Sequence, residues 1–329
     1  MRLAEIGIEC GQEIQSTVSS FGEGKALNSK MVFTLGLCLV SALTPSPVSA
    51  QSKGKTEAAS GKAGSRKEKT DSDEGDKSRL DSEKIPAGKS VTRKYDFKDA
   101  GKEMEYQLYL PENYYEEIEK DARKKFPLIV ALHGYGSNPK QIVGYPGFMR
   151  NANRQGYLIV APMGYNKFGW YGSHGSRGGY GNLPRNIGEL SEKDVMNVLE
   201  ITRKDFQIDP DRIFLYGHSM GGGGSIHLAM KYPDIWAAVA PMAPAVPWGM
   251  KNLKQASKIP FFVVHGDKDK VLPVKNTRAM IEKMKELEIK HQYIEVEGGD
   301  HVLVAFRYWN RIFDFFEQHP RNSRKGDGK

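Results

Sequence analysis

From residue 91 onward the chain alternates short apolar runs with longer amphipathic stretches. Leu128–Leu132, Leu158–Ala161, Ile213–Tyr216, Ala237–Ala240 and Phe261–Val264 are short and turn-bounded. Uninterrupted apolar runs of that length predict strands buried on both faces of a parallel sheet. Tyr106–Leu110 alternates instead, which predicts an antiparallel edge strand, and Tyr293–Val296 reads as the last strand. Ser191-Glu192-Lys193-Asp194 has the form of a capping box and predicts a helix from there toward Lys204. Met280, Ile281, Met284 and Leu287 mark one face of a second helix. Leu303, Phe306, Ile312, Phe313 and Phe316 mark the last. Strands alternating with helices make an α/β domain: a mostly parallel central sheet with helices on both faces.

The first ninety residues have another character. Lys25 and Lys30 precede an apolar run, Val32–Leu43, which leads through Pro45 and Pro47 to Val48-Ser49-Ala50. This is the layout of a signal peptide, so residues 1–50 are expected to be a leader and the protein secreted or periplasmic. A dozen apolar residues fall short of the ~20 that span a bilayer, so no stable membrane insertion is expected. Leu37 before Cys38 does not fit a lipoprotein site. Residues 51–90 are Lys, Ser, Gly, Asp and Glu with few large apolar side chains, and are expected to be a disordered charged linker. Residues 91–320 form the single expected domain, and 321–329 a basic disordered tail.

The net charge of +8 changes little once it is placed along the chain. Residues 95–320 carry +2, whereas 51–94 carry +4 and 321–329 carry +3. The excess sits in the ends, so nucleic acid is not an expected partner. Cys10 and Cys38 both precede the domain, which excludes a disulfide framework or catalytic thiol within it. No H-E-x-x-H pattern, dinucleotide fingerprint or Walker A lysine is present, so neither a metal nor a cofactor is expected.

The chemistry centres on Gly217-His218-Ser219-Met220-Gly221, directly after the strand Ile213–Tyr216 and before a helix ending near Tyr232-Pro233. G-x-S-x-G in that context sets a serine on a strained strand-to-helix turn with its hydroxyl exposed. A serine hydroxyl needs a base, and the base needs an orienting carboxylate; on this scaffold both follow the serine. His227 lies inside the helix after the turn, His265 ends a buried strand, His291 begins one and His319 follows the last helix. His301, in Gly298-Gly299-Asp300-His301 after the strand Tyr293–Val296, is level with the serine and is the expected base. Asp269, in the loop after Phe261–Val264, is the preferred acid; Asp267 on the same loop and Asp300 beside the histidine are the alternatives. His133-Gly134-Tyr135-Gly136 follows Leu128–Leu132, so the amides of Tyr135 and Met220 are the expected oxyanion donors. The aromatic, Gly-rich loop 162–188 holds Tyr165, Phe168, Trp170, Tyr171, His174, Arg177 and Tyr180. It lies at the same sheet edge, and Trp170 and Tyr171 are the expected substrate contacts.

Residues 91–318 resemble the α/β-hydrolase esterases related to feruloyl and acetyl-xylan esterases and polyhydroxybutyrate depolymerases. The resemblance is carried by Asp209–Gly222, which spans the serine turn, by Lys231–Asp234 and by Ala237–Pro241. His265–Pro273 is similar to the acid loop of esterases, dienelactone hydrolases and prolyl-oligopeptidase-type peptidases. The resemblance implies an α/β-hydrolase fold without a large lid, with Ser219, Asp269 and His301 as triad and Tyr135 and Met220 as oxyanion donors. It further implies a carboxylic ester substrate: a small molecule, a polysaccharide or phenolic ester, or a polyester. The alternatives are a peptidase of the prolyl-oligopeptidase type and a non-catalytic exported binding protein. One departure stands out: several of these esterases carry disulfides, and the expected domain has no cysteine.

Overall fold

The computed structural model describes residues 84–175, 183–247 and 250–322. The expected leader, the linker up to residue 83, Arg177 and Tyr180 of the aromatic loop, and residues 323–329 lie outside the described residues. Packed structure begins ahead of Val91: the Gly88 N–H donates to Leu110 O (2.9 Å), and Tyr115 O–H to Ile85 O (2.9 Å).

Eight strands form one sheet: β1 (Ser90–Phe97), β2 (Lys102–Tyr109), β3 (Phe126–Leu132), β4 (Leu158–Pro162), β5 (Ile208–His218), β6 (Val239–Met242), β7 (Phe261–Gly266) and β8 (His291–Val296). Their spatial order is β1-β2-β4-β3-β5-β6-β7-β8. The β1/β2 and β2/β4 pairs are antiparallel and every other pair is parallel. Among the described residues seven helices cover it: α1 (Tyr114–Lys120), α2 (Pro139–Val143), α3 (Phe148–Gln155), α4 (Ile187–Asp205), α5 (Met220–Lys231), α6 (Val274–Glu286) and α7 (Trp309–Glu317).

The period of two in β3 explains the layering. All seven of its residues are buried. Leu128, Val130 and Leu132 face a core with Val195, Val198 and Leu199 of α4, Ile226 and Leu228 of α5, and Met280 and Met284 of α6. Ile129 and Ala131 face the opposite core, with Ile142 of α2, Phe148 of α3 and Ile312, Phe313 and Phe316 of α7. Each fully buried Leu, Ile or Phe contributes about 1.5–3 kcal/mol, which fixes the register of the central strands.

Four expectations change at the level of elements. Tyr106–Leu110 is not at the sheet edge; β1 lies outside it, and its alternating exposed Thr92, Lys94 and Asp96 suit a water-facing border strand. The sixth strand starts at Val239 rather than Ala237. The last helix is interrupted. Leu303–Ala305 form a separate 3-10 turn, with Leu303 exposed, and α7 starts at Trp309. The Asp300 carboxylate folds that turn by accepting the Val302 and Leu303 N–H groups (2.9 and 2.7 Å), and Tyr216 O–H ties it to β5 through Ala305 O (2.5 Å). Finally, α4 starts at Ile187, so Ser191 lies a full turn inside the helix and does not cap it.

At the centre of the sheet β3 is followed in sequence by β4 on one side and in space by β5 on the other. The chain order reverses there, and the carboxyl ends of β3 and β5 open the crevice where such sheets place their sites.

Candidate active site

Strand β5 delivers Ser219 to that crevice. Its backbone sits at φ 58°, ψ −116°, a region that costs a non-glycine residue roughly 1–3 kcal/mol. Three backbone bonds hold the strain: Ser219 N–H donates to Met242 O (3.0 Å), and Ser219 O accepts from Gly223 and Ala245 N–H (both 3.0 Å). The turn is tight enough that a Cβ on Gly221 would lie 2.0 Å from Leu132 O, and one on Gly217 would lie 2.1 Å from Gly221 O. Glycine at these positions lets α5 leave the sheet against β3.

His301 reaches the serine from the loop after β8. Its Nε2 lies 2.9 Å from Ser219 Oγ, and its Nδ1 lies 2.7 Å from Asp269 Oδ2. Asp269 comes from the loop after β7, the strand paired with β8 over six residues from Phe261↔His291 to Gly266↔Val296. The carboxylate is fully buried and saturated by donors. Oδ1 accepts Val271 N–H (2.8 Å) and Leu272 N–H (2.9 Å), while Oδ2 also accepts from His265 Nε2 (3.0 Å). Burial alone would raise its pKa, but the Leu272 amide, the His301 ring and the Val271 amide outweigh it and hold the carboxyl below its ordinary value. The rival carboxylates are placed elsewhere. Asp300 builds the 3-10 turn described above, and Asp267 Oδ1 is buried without a partner among the described residues.

Two further histidines complete this polar core, and sequence reasoning gave neither a place in it. His265 Nδ1 faces Thr277 Oγ1 (2.8 Å) and its Nε2–H is shared between Asp269 and Leu272 O (3.1 Å), so it braces Asp269 from behind. His218 donates its Nε2–H to His301 O (2.9 Å) and accepts the Tyr145 O–H at Nδ1 (2.8 Å). Burial holds its pKa down to about 4, with the neighbouring His301 acting in the same direction, so it stays neutral near pH 7. The first x of G-x-S-x-G was the available signal, since that residue adjoins the strained turn of the serine. His227 and His319 stay outside the core: His227 pairs with Glu192 (2.8 Å), and His319 bonds Phe315 O (2.7 Å).

The loop after β3 lies beside the serine, where a Cβ on Gly134 would be 3.5 Å from Ser219 Cβ. Tyr135 and Met220 thus flank Ser219, the first on this loop and the second at the first position of α5, where an N–H has no acceptor within the helix. Above them is an aromatic ledge. The Tyr135 ring packs on Phe168 (4.7 Å between centroids) and Trp170 (5.8 Å), and Trp170 stacks on His174 (3.8 Å). Tyr171 does not join the ledge. It is fully buried and its hydroxyl donates to His133 O (3.3 Å), so it supports the loop from within instead of presenting a ring to a ligand. Among the described residues no group of three His, Cys, Asp or Glu side chains could hold a metal ion.

Comparison with known proteins agrees with this architecture. The family described as PET hydrolase-like (PETase) matches residues 193–310, which include Ser219, Asp269 and His301. Cutinase 2 of Thermobifida cellulosilytica is 32% identical over 95 residues, 29% of this chain and 35% of the cutinase. A bifunctional acetylxylan esterase/xylanase of Neocallimastix patriciarum is 28% identical over 147 residues, 44% of this chain and 20% of that protein. The match thus spans about a third or less of the length of these two relatives. In three dimensions it is similar to a ferulic acid esterase of Anaeromyces mucronatus solved with ferulic acid. That likeness has 18% identity and a TM-score of 0.56, and covers 74% of this chain and 95% of the esterase. A thermostable esterase superposes with a TM-score of 0.54 at 23% identity, covering 70% and 63%. The chain has the α/β-hydrolase fold, and part of it is similar in sequence to a cutinase and to a bifunctional acetylxylan esterase/xylanase.

Proposed function

We propose that this chain is a serine-dependent carboxylic ester hydrolase working through an acyl-enzyme. The observation that carries the reading is the unbroken line Asp269–His301–Ser219, at 2.7 and 2.9 Å, ending on a serine in a strained turn. Structural packing needs no such line. In the first half-reaction Ser219 Oγ attacks the ester carbonyl carbon as His301 Nε2 takes its proton. The developing oxyanion faces the Tyr135 and Met220 amides, each contributing on the order of 3 kcal/mol. The intermediate collapses, and the alcohol leaves with the proton held by His301. Water then attacks the acyl-serine as His301 takes one of its protons, and His301 returns that proton to Ser219 Oγ as the acyl–oxygen bond breaks and the carboxylic acid leaves.

The substrate class follows from the surroundings of the serine. Among the described residues the exposed large apolar side chains are Tyr135, Phe168, Val271, Val302 and Leu303. Each lies on a loop that carries or adjoins the triad and oxyanion residues. With relatives named cutinase, acetylxylan esterase and ferulic acid esterase, this supports an apolar or aromatic ester, polyester or plant-derived, over a charged one. Export is part of the proposal on the Lys25–Ala50 pattern, and secreted protein beginning after Ala50 is its test. No helix among the described residues is long and apolar enough to cross a membrane.

Hydrolysis of p-nitrophenyl acetate and butyrate by the wild type beside Ser219→Ala tests the nucleophile. The wild type should turn over, and the variant should lose about 10⁵-fold or more in kcat. A folded wild type inert on both esters would sink the reading.

A further inference from the structure

Helix α4 buries three polar side chains within four residues: Ser191 and Asp194 are fully buried and Glu192 is nearly so. Such groups are costly to bury without partners, so their partners show what they are for. Two of the three hold the segment that carries the aromatic ledge. Ser191 Oγ accepts the Tyr171 N–H (2.9 Å), and Asp194 Oδ2 accepts the Tyr165 N–H (3.0 Å). The other Asp194 oxygen accepts the Tyr95 O–H (2.5 Å). Glu192 binds His227 (2.8 Å), Lys231 (2.6 Å) and Tyr232 (2.6 Å), and so joins α4 to α5, the helix that starts at the serine.

The segment so gripped is strained. Tyr165, Trp170 and Tyr171 all have positive φ (65°, 60° and 51°), a conformation that persists only where surroundings enforce it. It is also pressed against the grip. A Cβ on Gly169 would lie 2.4 Å from Ser191 Oγ, and one on Gly172 would lie 2.6 Å from Glu192 Oε2. Its far side carries Phe168 and Trp170 onto Tyr135, and Gly136 N–H donates to Lys167 O (2.9 Å), which ties the segment to the loop beside Ser219.

We propose that Ser191, Glu192 and Asp194 form a clasp that holds residues 164–172 in this strained form and thereby sets the preference of the site for a planar aromatic acyl group. They are positioning residues: they act through Trp170 and Phe168 and touch no reacting atom. The proposal rests on the esterase reading and deepens it. It predicts that loosening the clasp weakens selection for an aromatic acyl group beyond any general loss of activity.

The test is a substrate pair, p-nitrophenyl benzoate and p-nitrophenyl acetate, measured on the wild type, Ser191→Ala, Asp194→Asn and Tyr95→Phe. Thermal melting would report whether each variant is folded. The clasp requires the ratio of kcat/KM for benzoate over acetate to fall at least about fivefold in the folded variants, with the loss carried by KM for benzoate. Equal losses on both esters, or an unchanged ratio, overturn it. Should Asp194→Asn fail to fold, Ser191→Ala and Tyr95→Phe still decide the question, since each removes a single hydroxyl group. A wild type inert on both esters would instead strike the esterase reading itself.

Discussion

His218 and His301 are joined by one hydrogen bond, from the ring of the first to the backbone carbonyl of the second at 2.9 Å. The residue before the serine therefore holds the loop of His301, and the serine turn and the histidine loop are positioned as one piece. Tyr145, on the segment between α2 and α3, fixes the ring from its other side.

The bond from Tyr145 exists only while His218 is neutral at Nδ1, where the ring accepts the tyrosine O–H. With a folded-state pKa near 4 against an ordinary value of 6.5, the folded protein disfavours protonated His218. The resulting stability is present above pH ~6.5 and drains away as pH falls toward ~4. Between pH 7 and 4.5 this one group should account for about 2 kcal/mol. Urea unfolding of the wild type should therefore show a steeper loss over that interval than His218→Phe. Parallel slopes would remove the assignment.

Asp269 is expected to be the acid, not Asp267 or Asp300. Asp269→Asn should lower kcat by about 10³–10⁴-fold, by turning the His301 ring and leaving a buried donor without its anion. Asp267→Asn should stay within about threefold of the wild type, because no bond joins its carboxylate to either histidine. A large loss in Asp267→Asn with little change in Asp269→Asn would reverse the assignment.

Gly221→Ala should be among the most damaging single-methyl changes in the chain. The added carbon would meet the Leu132 carbonyl at 2.0 Å, and neither β3 nor the start of α5 can retreat without breaking the sheet. We expect loss of more than about 3 kcal/mol or no soluble protein. A variant melting within a few degrees of the wild type would show that the turn can relax.

Glu192 gives a second pH window, of a different sign of charge. Burial alone would raise its pKa, but hydrogen bonds from His227, Lys231 and Tyr232 and the charge of Lys231 bring it down to about 2. Its stabilisation is in place above pH ~4.5 and is lost on acidification toward ~2, with a full size of roughly 3 kcal/mol. Glu192→Gln should flatten the acid limb of the stability curve below pH 4.5 relative to the wild type. Superimposable acid limbs would contradict it.

Much of this arrangement was legible in the sequence because it is written in short local patterns. Glycines flanking Ser219 announce a tight turn, and an apolar run before it announces the strand that the turn needs. His301 follows from its place after the last strand. The edge strand β1 escaped because a border strand need not be apolar, and its Arg, Lys and Asp resemble a linker. Ser191–Asp194 misled for a related reason. Its residue types are those of a helix cap, and only three-dimensional packing reveals that they face inward and serve a loop some twenty residues earlier. The role of His218 is long-range as well, since its partners, Tyr145 and His301, lie 73 and 83 residues away, whereas His265 bonds only to residues 4 to 12 positions further along its own loop and the helix after it.

Asp269 and His301 hang from neighbouring strands, and β8, which carries the histidine loop, is paired on one side only among the described residues. Border strands open at lower free energy than the centre of a sheet. Warming should thus silence the protein before it melts: the last strand frays, the base drifts from the acid, and the apolar layers around β3 remain intact. Tolerance to heat would then be a property of six residue pairs at one rim, and engineering for durability belongs there.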